Sequence, residues 1–109
     1  MRYALVVYRD EAVARGTEAD QLEALNVFAR ELGHRLLGAT RLRPAATATK
    51  VQVRDGGLVI ADGPFAETKE QIGGLFIVEC ADLDESIDAA ALLPMARYGT
   101  IEVRPIWET

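Results

Sequence analysis

The chain has 109 residues, of which half are hydrophobic and 27% are charged, and its formal net charge is -5. This length and balance are typical of one packed domain spanning residues 1–109, and they exclude disordered and fibrous classes. The negative charge argues against nucleic acid and anionic membranes as partners. The first apolar run, 3–8, is too short for a signal peptide core or a membrane span, so we expect a cytoplasmic protein.

The single cysteine, Cys80, rules out an internal disulfide and a cysteine-rich zinc site. It ends the apolar run 75–80, where a free thiol usually behaves as a small buried hydrophobe. The sequence contains no phosphate-binding glycine loop, no dinucleotide fingerprint and no cluster of metal ligands. We therefore expect neither a cofactor nor a metal.

The first strand and helix are indicated by two different apolar patterns. Residues 3–8 are continuously apolar and rich in Val and Tyr, which predicts a strand buried on both faces. An acidic variant of the capping box at 17–20 precedes apolar residues at helical spacing that continue to Leu32. Gly33 then supplies the end of this helix.

The middle of the chain carries the strongest hairpin signal. Residues 36–43 are weakly strand-like, and 44–49 are typical of an extended linker. The segments 51–54 and 58–61 then flank Asp-Gly-Gly at 55–57, which predicts a hairpin. Only one side of the first segment is apolar, so we expect it to be half exposed.

The remaining elements are a loop, a strand, a helix and a last strand. Turn signals at one end and a double glycine at the other predict a long loop at 62–74, followed by a strand at 75–80. A helix is predicted to begin at 82–85 and to end before Pro94, and a strand covers 100–104. The side chains expected to be buried by this helix are Ile87, Ala90 and Ala91.

This order of elements predicts an α+β fold, with a ferredoxin-like antiparallel sheet and two helices on one face. Strands 3–8 and 75–80 carry apolar side chains on both sides, and an uncovered apolar sheet face is an aggregation hazard. A second copy of the same sheet is the simplest cover, so we expect a homodimer.

Residues 62–74 read DGPFAETKEQIGG. This segment resembles the signature of the DGPF branch of the YCII-related family, and the similarity extends over nearly the whole chain. The resemblance implies that two sheets pair as a dimeric α+β barrel. It implies less about activity, because most DGPF proteins have none assigned and are often encoded beside extracytoplasmic-function sigma factors. Other YCII-related proteins carry a histidine and aspartate pair regarded as an active site, and His34 alone does not reproduce it.

Asp62 is the candidate catalytic residue. The Gly-Pro that follows it predicts a tight turn that exposes the carboxylate at the end of a strand. A carboxylate near an apolar dimer interface can act as a general base, because its pKa can rise toward neutrality. The structural alternative is an Asx turn, and turn aspartates outnumber catalytic ones.

Five further side chains are candidates for substrate binding. Glu67 and Lys69 follow Asp62 in the same loop and form a charge cluster with Glu70, although such clusters more often only keep a loop soluble. His34 lies in a basic segment that can receive a carboxylate or phosphate, formed with Arg30, Arg35, Arg41 and Arg43. A position just past a helix end is favourable for His34 through the helix dipole alone. Tyr8 can place a hydroxyl in a cavity beside the sheet, and Phe65 can anchor the subunit contact nearby.

The leading hypothesis is a small-molecule-binding protein with its site beside the 62–74 loop. Its catalytic form would be a cofactor-independent acid/base enzyme of the lyase or isomerase type, and the sequence leaves catalysis itself open. The alternative is a non-catalytic partner or ligand sensor in sigma-factor signalling, which would bind a transcription-related protein. A third possibility, an assembly scaffold, predicts no occupied cavity.

Overall fold

The computed structural model describes residues 1–13 and 18–108. The predicted capping box includes Thr17, which lies outside these ranges. The described strands and helices follow the order expected from the sequence. They are β1 (Arg2–Arg9), α1 (Glu18–Leu32), β2 (Leu36–Arg41), β3 (Thr49–Arg54), β4 (Gly57–Asp62), β5 (Gln71–Glu79), α2 (Leu83–Ala91) and β6 (Thr100–Pro105).

Four of the strands form one antiparallel sheet in the order β2-β5-β1-β6. Strand β5 lies between β1 and β2, which α1 connects, and β1 lies between β5 and β6, which α2 connects. Two interleaved βαβ units of this kind make the ferredoxin-like arrangement. The predicted α+β class and sheet type are therefore confirmed.

The hydrophobic core lies on one face of this sheet. Alternate residues of β1 are buried, because successive strand residues point to opposite faces. The rings of Phe28 in α1 and Phe76 in β5 meet edge to face with centroids 5.2 Å apart. Since the same core takes buried residues from α1 and α2, both helices cover one face. The core residues are Tyr3, Leu5, Val7, Phe28, Leu32, Phe76, Val78, Cys80, Ala89, Ala90 and Leu93.

Both helix boundaries that the sequence predicts have a local cause. Gly33 follows α1 with φ of 56°, a left-handed conformation that glycine adopts without strain. The Asp82 carboxylate accepts a hydrogen bond from the Glu85 backbone N–H at 2.9 Å and caps the start of α2. The Asp82 cap thereby satisfies one of the backbone N–H groups that the start of a helix leaves unpaired.

The buried face of α2 differs from the prediction. Ala90 is buried as expected, but Ile87 is 48% exposed and Ala91 is also exposed. Ser86 is fully buried instead, and its hydroxyl donates to the Leu83 carbonyl at 2.6 Å. A polar side chain can take this position because its hydrogen bond is made within the helix itself.

The second face of the sheet is only partly covered within one chain. The pairs that share this face are Ala4 with Ile77, Val6 with Leu75, and Tyr8 with Ile72. We call these six side chains the open sheet face. Those of β1 and Ile77 are half-buried, whereas Ile72 is 43% and Leu75 37% exposed. The prediction that β1 is buried on both faces therefore holds for one face only in the single chain.

The predicted hairpin is confirmed, and we call β3 and β4 the hairpin arm. Asp55 and Gly56 both have positive φ, 52° and 74°, as the central residues of a type I′ turn require. Within the described ranges, β3 and β4 pair only with each other. All arm residues except Lys50 are exposed, so the expected half exposure of the first segment is wrong.

The overall dimensions agree with an arm that projects from a two-layer body, which consists of the four-stranded sheet and the helices α1 and α2. The radius of gyration is 15.7 Å, whereas a compact domain of this length has about 13 Å. The smallest extent of the chain is 18 Å and the largest is 46 Å. Neither described helix is long and apolar enough to cross a bilayer.

The long loop predicted at 62–74 is shorter in the structure. Asp62 is the last residue of β4, and residues 71–74 already belong to β5. The double glycine lies within β5, and a Cβ at Gly74 would be 3.0 Å from the Thr40 carbonyl oxygen of the neighbouring strand. The segment predicted as a linker likewise contains a short 3-10 turn, Ala45–Thr47.

Candidate functional site

A cleft of about 570 Å³ lies where β1 ends. This volume falls in the range of small-molecule sites, which is about 300–1,000 Å³. Three walls form the cleft: the end of β1 with the start of β5, the segment 42–48, and the loop after β4. Its lining residues are Tyr8, Leu42, Arg43, Pro44, Ala45, Thr47, Ala48, Pro64, Phe65, Ala66, Thr68, Glu70, Gln71 and Ile72.

The first wall is a cross-strand pair. Tyr8 in β1 lies opposite Ile72 in β5, so their side chains project from the same face of the sheet. A bulge at Gly73 shifts the register here and brings Ile72 opposite Tyr8. Because both side chains also belong to the open sheet face, the cleft is continuous with that face.

The second wall, 42–48, is held in place by hydrogen bonds to β5, to Glu11 and within its own turn. The Leu42 N–H donates to the Gly73 carbonyl at 3.0 Å, which fixes the segment to β5. The Ala45 N–H donates to the Glu11 carboxylate at 2.8 Å, and the Thr47 hydroxyl donates to the Pro44 carbonyl at 2.7 Å. The wall is therefore preorganised by the chain itself.

The third wall, 63–70, is arranged around one amide side chain. Gln71 Nε2 donates to the carbonyls of Ala66 and Thr68 at 2.8 and 3.0 Å. The Gly63 N–H donates to the Ala48 carbonyl at 2.8 Å and joins this wall to the second. Gly63 has φ of 97°, which only glycine adopts readily.

Three polar side chains give the cleft its chemistry. Glu70 is half-buried, and its Oε1 accepts a hydrogen bond from the Thr100 hydroxyl at 3.0 Å. Within the described part of the chain, neither the Tyr8 hydroxyl nor the Arg43 guanidinium makes a hydrogen bond or ion pair. A cation, a hydroxyl and a carboxylate are thus available beside mainly aliphatic walls.

The structure brings two of the predicted site residues to the cleft. Tyr8 lines its inner end, and Phe65 lines its rim with 89% of the residue exposed. Glu67 and Lys69 lie in the third wall, but they are exposed and outside the lining.

Asp62 and His34 lie away from these residues. Asp62 is exposed at the end of β4 opposite Thr49, and it does not line the cleft. His34 lies in a short turn before β2, close to the strand pair that contains Val78 and Tyr3. Tyr3 and the cleft residue Tyr8 are about 17 Å apart along β1, so His34 belongs to the opposite end of the sheet.

The basic segment around His34 is divided by the fold. Arg35 forms an ion pair with Glu85 at 2.9 Å, whereas Arg43 reaches the cleft. The sequence placed Arg43 in the basic segment and Glu70 in the charge cluster of the loop, but it did not indicate that both line one cleft. Pro44 was the available signal for this wall, because a proline fixes the backbone of an ordered turn. Arg43 and Glu70 lie too far apart in sequence to indicate that they share a cleft.

Cys80 lies outside the cleft and is buried in the core. Burial raises the pKa of its thiol, and the neighbouring Glu85 acts in the same direction. A protonated buried thiol is a packing group and a poor nucleophile. Among the described residues, no three acidic, histidine or cysteine side chains are grouped to hold a metal.

The four-stranded antiparallel sheet, with two helices on one face and a cleft at its end, defines an α+β protein of ferredoxin-like type. The family model of the YCII-related domain matches residues 1–109, so the chain belongs to the YCII-related family. It is also 39% identical over 115 residues to an uncharacterised protein of Rhizobium meliloti (strain 1021), covering 97% of this chain and 92% of that relative.

Proposed function

We propose that this protein binds a small molecule in the cleft. The observation that carries the proposal is a volume of about 570 Å³ with aliphatic walls and few converging polar groups. This combination is the usual composition of ligand sites, where apolar area supplies affinity and a few polar groups fix orientation.

The polar groups indicate the class of ligand. Arg43 can pair with an anionic group through forked hydrogen bonds, and the Tyr8 hydroxyl can donate or accept a hydrogen bond. The expected ligand is therefore a mainly apolar molecule with one carboxylate or similar anion. In the catalytic form of the proposal, Glu70 is the general base with the best position, because it is half-buried and lines the cleft.

A library of small carboxylic acids, screened by thermal shift and then by calorimetry, tests this proposal. Adjacent alanines provide matched variants, since Ala45 lines the cleft and Ala46 is exposed outside it. Ala45→Trp should weaken a bound acid at least tenfold, whereas Ala46→Trp should leave its affinity unchanged. Equal affinity in both variants, or no binding by any acid, would contradict a ligand site here.

Catalysis is tested separately once a ligand is known. Glu70→Gln removes the charge and keeps the shape, so turnover should fall about a hundredfold while ligand affinity is retained. Asp62→Asn is the comparison, because Asp62 was the sequence-based candidate. A loss of turnover in Asp62→Asn alone would indicate that Asp62, and not Glu70, is the general base.

We also propose that the protein works as a homodimer, paired through the open sheet face as a dimeric α+β barrel. The support is the row of aliphatic side chains on that face, which includes Ile72 and Leu75. Sedimentation equilibrium at micromolar concentration should give a dimer mass, and a stable monomer would contradict the pairing.

Assignment to the DGPF branch and a cytoplasmic location complete the proposal. The support for the branch is the segment 62–74, which supplies the third wall of the cleft. The alternative function, a ligand sensor or partner in sigma-factor signalling, is favoured by one observation. Leu83 and Ile87 form an exposed apolar stripe on α2, 50% and 48% exposed, to which a transcription-related protein could bind.

A further inference from the structure

The hairpin arm has one apolar face that the described part of the chain leaves uncovered. Val51 pairs with Ile60 and Val53 pairs with Leu58, so all four side chains project from the same side. Their exposures are 62%, 60%, 64% and 65%. They are more exposed than any member of the open sheet face.

An exposed two-stranded hairpin of this kind needs a partner. Isolated hairpins are at best marginally stable in water, because two strands bury too little apolar area to offset the cost of ordering them. The arm pairs with no other strand in the described ranges, and all but one of its residues are exposed. Its apolar face therefore indicates an interaction surface.

The area needed for a stable dimer favours a second copy as the partner. A standard interface buries about 800 Å² per partner, of which about 450 Å² is apolar. Four of the six side chains of the open sheet face are already half-buried, and the other two are 43% and 37% exposed. Each of the four apolar side chains of the arm is at least 60% exposed, so the arm adds at least as much exposed apolar surface as the sheet face offers. The two surfaces together therefore supply more of the required area than the sheet face does alone.

We propose that the arm of each protomer packs its apolar face, formed by Val51, Val53, Leu58 and Ile60, against a second copy of the chain. This inference rests on the proposed homodimer and extends it, since it adds the arm to an interface that also includes the open sheet face. The contact is isologous, so each protomer gives one arm and receives one.

The same contact completes the ligand site. Tyr8 and Ile72 belong both to the cleft and to the open sheet face, so a partner seated on that face forms a further wall. Phe65, 89% exposed at the rim, is then covered as well. A ligand in the dimer is enclosed, which strengthens its polar contacts by excluding water.

Two paired substitutions with matched chemistry test the arm. Val51→Lys with Ile60→Glu places opposite charges across the apolar face, and their attraction preserves the hairpin. Gln52→Lys with Val59→Glu introduces the same cross-strand charges on the other face. Sedimentation equilibrium should show at least a hundredfold weaker dimer for the first variant and less than a threefold change for the control.

A second measurement needs no substitution. Hydrogen exchange of the wild-type protein should slow at least tenfold in residues 49–62 when the concentration is raised through the dimer dissociation constant. Circular dichroism of both variants checks that the fold is retained. If the first variant unfolds, the concentration dependence of hydrogen exchange in the wild-type protein decides whether the arm packs against a second copy.

The outcomes separate the arm from the other proposals. A wild-type dimer with an unprotected arm, or a first variant that still dimerises normally, overturns the proposed contact of the arm and leaves the proposed pairing of the sheet faces standing. A wild-type monomer overturns both. Ligand affinity is measured independently in the Ala45→Trp and Ala46→Trp variants. A dimer with a protected arm that binds no acid would therefore uphold the contact of the arm and reject the ligand site.

Discussion

Strands β1 and β4 are both rich in aliphatic residues, yet their side chains have opposite surroundings. Leu5 in β1 is fully buried, whereas Leu58 in β4 is 65% exposed. The first strand has two neighbours in the sheet and two helices against one face, and the second has one neighbour. Apolar composition thus predicts a strand, but the number of layers around it decides how much it is buried.

This contrast between the body and the hairpin arm also separates two sources of stability. The body is stabilised within one chain by burial of side chains such as Phe28 and Phe76. The arm has the turn geometry of Asp55 and Gly56, but residues 1–13 and 18–108 leave its apolar face exposed. Substitutions in the body should therefore affect unfolding of the monomer, and those in the arm should affect association.

The largest expected difference concerns two leucines. Leu5→Ala should lower the free energy of unfolding by about 3 kcal/mol, because it leaves a cavity in a fully buried site. Leu58→Ala should cost less than about 0.5 kcal/mol in the monomer, since most of its side chain is already in water. Urea denaturation below the dimer dissociation constant measures both, and equal losses would show that the arm packs on its own body.

The next largest effect is a difference in thiol reactivity. Because Cys80 is buried and its thiol pKa is raised, alkylation by iodoacetamide at pH 8 should be at least about a hundredfold slower in the folded protein than in urea. A cysteine placed in the arm, Gln52→Cys in a Cys80→Ala background, should react rapidly. Fast native labelling of Cys80 would contradict its place in the core.

Two aspartates at turns provide a smaller contrast. Asp82→Ala should destabilise the protein by about 1 kcal/mol, because it removes the cap of α2. Asp62→Asn should change stability by less than about 0.5 kcal/mol, since its exposed carboxylate makes no hydrogen bond with the described residues. Thermal unfolding of the two variants is the measurement. Because Asn preserves an Asx turn, a large loss for Asp62→Asn would show that the charge of the carboxylate makes a stabilising contact in the folded protein.

The smallest effect is a dependence of stability on high pH. Burial raises the pKa of the Cys80 thiol from 9.0 and of the Tyr3 hydroxyl from 10.0, so both groups keep their protons longer in the folded state. Their contribution to stability is complete below pH 9 and is lost as the pH rises through the folded pKa values. Urea unfolding between pH 8 and 10.5 should show this decrease, and Cys80→Ala should reduce it. Indistinguishable pH profiles would rule out the thiol as a cause.

The residues that line the cleft agree only in part with those predicted from the sequence. Tyr8 and Phe65 were predicted and line the cleft, because one ends the first strand and the other lies in the distinctive loop. Arg43 and Glu70 were considered in two separate segments, and they come to line one cleft only because β2 and β5 pair. Asp62 was selected for its turn, but β4 continues through it and carries it outside the lining.

The sequence by itself determined the elements whose causes are local. The turn at Asp55 and Gly56, the end of α1 at Gly33 and the cap at Asp82 depend only on a few neighbouring residues. The tertiary structure decided which faces are covered, as the exposure of Ile87 and the burial of Ser86 demonstrate. It also assembled the cleft, because a site formed by three segments distant in sequence depends on the register of the sheet that joins them.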